Sequence, residues 1–216
     1  FNLMLRYAGA VSLIFFLACE LIPDLLMRIF SGDPALIAIG IDYLRIAGWS
    51  YLLTGISQCY LAIMKVTDHV RPCAVISYSA VILNIILNAV FIFGLLGAPR
   101  MQARGAAFAT TLSRIIELVF CLSLSSKPGY LRPVLSRCFA QSRQLRKDFA
   151  RQCFPLMGGS LCWGSGFTSY TAIIAHMGTD AAAANSVAAV VRDLMCCLCT
   201  GVGSAAGIMV GNELGA

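Results

Sequence analysis

Two asparagines one helical turn apart, Asn84 and Asn88, lie within an otherwise apolar stretch that runs from Arg71 to Arg114. The stretch predicts two apolar helices joined by a short turn at residues 97–99, with Thr110 on the second helix. A side-chain amide in hydrocarbon costs free energy unless a partner satisfies it. The pair therefore predicts a polar cavity or a packed polar interface.

The hydroxyl of Thr110 is placed to meet these amides. Counting the helical rise of 1.5 Å per residue from the shared turn, Asn88 lies roughly 12 Å deep and Thr110 roughly 9 Å. Ser77 joins the two asparagines in one polar stripe on its helix. Arg114 and Glu117 form an i, i+3 pair on the Thr110 face, for which a structural ion pair between helices is favoured over a functional role.

The amino-acid composition indicates that these side chains lie in a lipid bilayer. The chain is 59% hydrophobic and 12% charged, with a mean hydropathy of +0.81, whereas soluble domains carry about 25% charged residues. Apolar segments of about 20 residues recur along the whole chain. The predicted fold class is an all-α polytopic membrane protein, because lipid offers backbone groups no partner outside their own helix.

Six spans are predicted, and their order leaves no room for a separate soluble domain. Asp33 is expected to cap the second span and Pro34 to occupy its first helical position. Hydroxyls at Ser50, Thr54 and Ser57 give the second span a polar face, which suits either close helix packing or a cavity lining. The predicted spans are 7–30, 35–65, 72–96, 105–126, 152–177 and 181–210.

Residues 127–150 form the one long polar segment, and its pattern predicts an amphipathic interfacial helix or linker. A net charge of +6 could indicate nucleic acid, but the basic residues lie mostly between apolar segments. If the spans alternate, ten Lys and Arg residues lie on one side of the membrane and four on the other. The positive-inside rule then places the linker in the cytoplasm and explains the charge without nucleic acid.

The last two spans are rich in small residues. Glycine recurs at every fourth position from Gly203 to Gly215, which predicts a helix-packing face. Arg192 and Asp193 are adjacent, so they are expected to point to different faces and not to neutralise each other. Arg192 is therefore a second candidate functional charge. The ten cysteines are predicted to be free thiols packed as small hydrophobes, and the C-x-x-C at Cys196 is only a weak indication of a metal or redox site.

Several short motifs, in order and at the expected spacing, resemble the multidrug and toxic compound extrusion (MATE) family across essentially the whole chain. They are YLRI at 43–46, NIILN at 84–88, IFG at 92–94, GAAFAT at 105–110, SR at 113–114 and the closing GNELGA.

The resemblance implies a secondary antiporter of twelve helices in two six-helix lobes in the cell membrane. Such proteins export small organic cations or drugs in exchange for sodium ions or protons, by alternating access, and need no other cofactor. Residues 1–126 resemble helices 3 to 6 of the first lobe and residues 151–216 resemble helices 7 and 8, so the chain is expected to be a fragment whose partners are the remaining helices and the bilayer.

The resemblance also implies the ion or substrate site. Asn84, Asn88 and Thr110 match polar positions of the first-lobe site, although some members have Asp where this chain has Asn88, and an amide cannot carry a proton. In the second lobe, members that bind sodium have Glu five residues after a proline, and this chain has Ser160 there. Ser160 and Arg192 are kept as candidates for a second-lobe cavity.

Two other functions remain open from the sequence. A lipid-linked oligosaccharide flippase of the same superfamily would require a more cationic cavity, and a non-transporting membrane scaffold would use the polar stripe for packing. An enzyme is not predicted, because no nucleophile and base, phosphate loop or metal-ligand set is recognisable.

Overall fold

The protein is all-helical in the computed structural model, which describes residues 1–30, 32–67, 69–94, 100–127 and 143–215. No strand occurs in these ranges. The predicted turn at 97–99 and residues 128–142 of the predicted linker lie outside the described residues. The helices are α1 (Asn2–Leu21), α2 (Pro23–Arg28), α3 (Pro34–Val66), α4 (Val70–Phe93), α5 (Gln102–Ser125), α6 (Arg143–His176) and α7 (Thr179–Gly215).

The chain divides into two compact units. The first comprises Phe1–Met27 and Asp33–Arg146, and the second comprises Arg28–Gly32 and Lys147–Ala216. In the first unit α5 packs against both α3 and α4, and α1 packs against α3. A hydrophobic cluster joins α3, α4 and α5, and its buried members are Tyr60, Leu61, Met64, Cys73, Ile76 and Cys121.

Small side chains allow the helices of the first unit to approach closely. Ala107 and Ala109 on α5 are fully buried, and a Cβ atom on Gly55 of α3 would overlap the Ser12 hydroxyl of α1. Membrane helices use such residues because packing replaces the hydrophobic effect between spans. The predicted packing of cysteines as small hydrophobes is confirmed here for Cys19, Cys59, Cys73 and Cys121, which are free and buried.

The first predicted span is wrong at its end. Residues 7–30 were expected to form one helix, but α1 ends at Leu21 and a second short helix, α2, begins at Pro23. Ile22 between them has φ −131° and ψ 42°. Proline has no N–H to donate, and its ring disfavours the helical conformation of the preceding residue, so the helix breaks at Ile22.

The predicted cap of the second span is confirmed. Asp33 Oδ1 accepts a hydrogen bond from the backbone N–H of Ala35 at 2.9 Å, and Pro34 begins α3. Replacing Asp33 by Ala removes this acceptor, so we expect the free energy of unfolding to fall by about 1 kcal/mol. Denaturant unfolding of the purified protein in detergent measures this loss, and an Asp33→Asn variant, which keeps a capping oxygen, should stay close to the parent.

Within the described ranges, five helices are long and apolar enough to cross a membrane: α1, α3, α4, α5 and α7. Large apolar side chains cover their outward faces, as lipid contact requires. The fifth predicted span, 152–177, is helical within α6 as far as His176, but its many glycines and serines lower its hydropathy. It is not among these five.

Candidate functional site

A chain of side-chain hydrogen bonds links α4 to α5 within the first unit. Asn88 Nδ2 donates to Asn84 Oδ1 at 3.0 Å, and Asn84 Nδ2 donates to Ser113 Oγ at 3.1 Å. The Ser113 hydroxyl donates to the backbone carbonyl of Thr110 at 2.9 Å. Asn84 and Asn88 are one turn apart on α4, so both amides lie on the same face and can bond to each other. We refer to these three side chains as the amide chain.

One atom of the amide chain has no hydrogen-bond partner in the part of the protein that the structure describes. Asn88 Oδ1 is buried and makes no hydrogen bond to any described residue. A buried acceptor without a partner costs about 1–3 kcal/mol. Such an atom can accept a hydrogen bond from a donor or bind a cation, and both interactions would remove that cost.

Thr110 is close to the amide chain, but its hydroxyl bonds elsewhere. Thr110 Oγ1 donates to the carbonyl of Ala106 on its own helix at 2.9 Å, while its carbonyl accepts from Ser113. The hydroxyl that Asn84 contacts is that of Ser113, which is 2% exposed. Ser113 was not predicted to be a functional residue, although it is three residues after Thr110 and therefore lies on the same helix face.

The predicted ion pair of Arg114 and Glu117 exists, and both partners belong to α5. Arg114 Nη1 lies 2.5 Å from Glu117 Oε2, and Glu117 is 1% exposed while the Arg114 side chain is 35% exposed. The expectation that the pair joins two helices is not met. A three-residue separation places both side chains on the same helix face, where they can pair without a neighbouring helix.

The polar face of α3 is used for packing. Ser57 is fully buried, and its hydroxyl donates to the carbonyl of Thr54. Ser50 is also buried and donates to the carbonyl of Ala47 at 2.6 Å. Of the two interpretations of these hydroxyls, the geometry favours close helix contact, since each bond is made within α3.

In the second unit, Arg192 of α7 contacts α6. Its guanidinium carbon lies 4.7 Å from the ring centroid of Phe167, a cation–π distance. The expectation that Arg192 and Asp193 cannot neutralise each other is wrong, because Arg192 Nη2 lies 3.0 Å from Asp193 Oδ1. The arginine side chain is long enough to fold back to its neighbour. Ser160 on α6 is exposed.

The glycines of α7 are open along the described helix. A Cβ atom on Gly203, Gly207 or Gly211 would have no neighbour within 4 Å. The helix-packing face predicted for them stays a prediction. Among the described residues, no group of three or more His, Cys, Asp or Glu side chains is placed to hold a metal ion.

Comparison with known proteins finds sequences of membrane transporters that are similar to this chain. Residues 1–90 match the MatE family model. The "Uncharacterized transporter YisQ" of Bacillus subtilis is 26% identical over 172 residues, which are 80% of this chain and 37% of the relative. The "Multidrug resistance protein NorM" of Vibrio cholerae is 27% identical over 169 residues, 77% of this chain and 36% of the relative.

A third relative matches nearly the whole chain. The "Probable multidrug resistance protein NorM" of Rhodopseudomonas palustris is 24% identical over 214 residues, 97% of this chain and 44% of the relative. The chain thus spans less than half the length of these three curated relatives. No solved structure matches it.

Proposed function

Since this chain belongs to the multidrug and toxic compound extrusion (MATE) family, we propose that it is part of a secondary active antiporter that exports organic cations or drugs. The exchanged ion is sodium or a proton. Its partners are the small cationic substrate, the lipid bilayer and the further helices of a complete two-lobe transporter. It is a multi-pass cell membrane protein with no enzymatic role.

The observation that carries this proposal is the amide chain within membrane-spanning helices. Polar side chains inside a bilayer are expensive and usually mark a pathway for ions or substrate. Here two amides and a hydroxyl connect α4 to α5, and no described residue bonds to the buried Oδ1 of Asn88. A packing role alone would be expected to leave every polar atom satisfied.

We propose Asn84, Asn88 and Thr110 as the ion- or substrate-binding residues of the first lobe. Amide and hydroxyl oxygens suit sodium, which favours oxygen ligands. An asparagine cannot take up a proton, so proton coupling would require a titratable group elsewhere. Ser160 and Arg192 are proposed for the second-lobe cavity, where Arg192 is already engaged by Phe167 and Asp193.

The proposed mechanism is alternating access by two rocking lobes around a site near the middle of the membrane. In this scheme residues 1–126 supply helices 3 to 6 of the first lobe, and residues 151–216 supply helices 7 and 8. Residues 127–150 connect the lobes on the cytoplasmic side, which the distribution of Lys and Arg favours.

The test is ethidium efflux from energised membranes that contain the full-length protein, with sodium and proton gradients imposed separately. We expect efflux under one of the gradients, and we expect Asn88→Ala to lower its rate about tenfold, since the variant removes a direct ligand. The matched control is Ser79→Ala, an exposed polar position on the same helix.

Each contrary result has a distinct meaning. Absence of efflux under both gradients, from well-folded wild-type protein, would contradict the antiporter. It would favour the scaffold or a flippase with another substrate. Efflux that Asn88→Ala leaves unchanged would keep the antiporter and contradict the proposed first-lobe site.

A further inference from the structure

The hydrogen bonds of the amide chain all run from donor to acceptor in one direction, from Asn88 through Asn84 and Ser113 to the carbonyl of Thr110. The Thr110 carbonyl determines that direction. The backbone carbonyl of Thr110 can only accept, so the Ser113 hydroxyl must donate its single hydrogen to it. Ser113 Oγ is then available to Asn84 only as an acceptor. Asn84 must therefore present its NH₂ group to Ser113 and its oxygen to Asn88.

The opposite arrangement makes fewer bonds. If Ser113 turned its hydrogen to Asn84, both amides would have to rotate, and the bond to the Thr110 carbonyl would be lost. The observed direction makes three hydrogen bonds and the reversed one makes two. The orientation of amide groups in proteins is assigned from such networks, and here the network prefers one answer.

This direction determines which atom Asn88 leaves without a partner. Because its NH₂ group donates to Asn84, the unpartnered atom is the acceptor Oδ1. In the reversed chain, the NH₂ group would be left without an acceptor instead. An acceptor attracts a cation or a hydrogen-bond donor, whereas an N–H group would attract an anion or an acceptor.

We infer that Ser113 is a positioning residue which, through Asn84, orients Asn88 so that its carbonyl oxygen faces a positively charged or hydrogen-bond-donating ligand. Ser113 does not contact the ligand itself. The inference rests on the proposed function for the site around Asn88. It adds that the direction of the amide chain determines whether the bound ligand is positively or negatively charged. Two occupants share the required chemistry, a sodium ion and an organic cation.

The experiment uses the full-length protein purified in detergent and has two arms. In one arm sodium chloride is titrated against potassium chloride at constant ionic strength, and the rise in unfolding temperature gives the apparent affinity. In the other arm ethidium binding is followed by fluorescence anisotropy. The Asn88→Ala variant removes Oδ1 itself, so the arm in which this variant weakens binding is the one that measures binding at this site.

In that arm Ser113→Ala should weaken binding about tenfold, the effect expected when one well-oriented hydrogen bond to a charged ligand is lost. Ser113→Thr keeps the hydroxyl and should bind within a few-fold of wild type, whereas loss of volume or packing alone would not be rescued in this way. The matched control is Ser123→Ala, an exposed serine of α5 that also donates to its own helix.

Ser113→Cys provides a second route if Ser113→Ala does not fold, because a thiol has nearly the same size but is a weak acceptor. Wild-type affinity in both Ser113→Ala and Ser113→Cys, in the arm that Asn88→Ala weakens, would overturn the role of Ser113 and leave the first-lobe site intact. If Asn88→Ala weakens neither arm, the site and the role of Ser113 both fall, while gradient-driven efflux would still support the antiporter.

Discussion

Removing the guanidinium of Arg114 should lower the free energy of unfolding by about 3 kcal/mol, because it leaves the carboxylate of Glu117 buried and unpaired. Glu117 is 1% exposed, so water cannot replace the lost partner. The estimate lies at the low end of the range for buried pairs, since the Arg114 side chain itself is 35% exposed. Unfolding of Arg114→Ala in increasing mole fractions of sodium dodecyl sulfate measures the loss.

The chain offers a matched control for this prediction. Arg104 and Asp42 also form an ion pair, between α5 and α3, but their side chains are 60% and 39% exposed. Exposed pairs contribute about 0–1 kcal/mol, so Arg104→Ala should have little effect. Combining Arg114→Ala with Glu117→Gln should recover part of the stability. Equal losses in the two arginine variants would show that burial of Glu117 does not determine the cost.

A single methyl group at position 105 should also destabilise the first unit. A Cβ atom on Gly105 of α5 would lie 2.7 Å from the carbonyl oxygen of Phe91 on α4 and 2.9 Å from its carbonyl carbon. Both atoms are backbone, so they cannot move aside as a flexible side chain could. We expect Gly105→Ala to cost about 2 kcal/mol, as overpacked positions typically do.

Gly9→Ala on α1 is the control for the Gly105 variant. A Cβ atom there would have no neighbour within 4 Å. Alanine has the higher helix propensity, so Gly9→Ala should be neutral or stabilise by up to about 1 kcal/mol. The same unfolding assay compares the two variants. A neutral Gly105→Ala would mean that α4 and α5 can separate at this point without a penalty.

The sequence predicted most of the helices because each depends on local chemistry. The beginning of α3 follows from the capping residue Asp33 and from Pro34, and the apolar lengths predict the spans. The break at Ile22 shows where that reasoning fails. Apolar length predicted one continuous span over 7–30, but Pro23 has no N–H to donate, and this ends α1 before it.

The site was predictable only in part. The helical spacing of Asn84 and Asn88 predicted that both amides lie on one face. In α4 they do, and they bond to each other. Their partner depends on the rotation of α5 against α4, and no pattern within α5 distinguishes Ser113 from Thr110 as the residue that Asn84 contacts. The fold-back of Arg192 onto Asp193 depends on rotamers, so the expectation from backbone directions alone was wrong.

The close contact between Gly105 and the backbone of Phe91 is a pivot about which α4 and α5 can tilt against each other. Besides the glycine, the N–H of Met101 bonds to the same carbonyl of Phe91 at 3.0 Å. Ser113 is eight residues after Gly105 on α5, and therefore about 12 Å from this pivot. A tilt of about 10° between the helices would displace Ser113 by about 2 Å. A displacement of that size would break the hydrogen bond from Asn84, while the contact at Phe91 would barely change. A scissoring motion of these two helices would therefore free the amide of Asn84 to rotate, and with it the orientation that Asn84 imposes on the amide of Asn88.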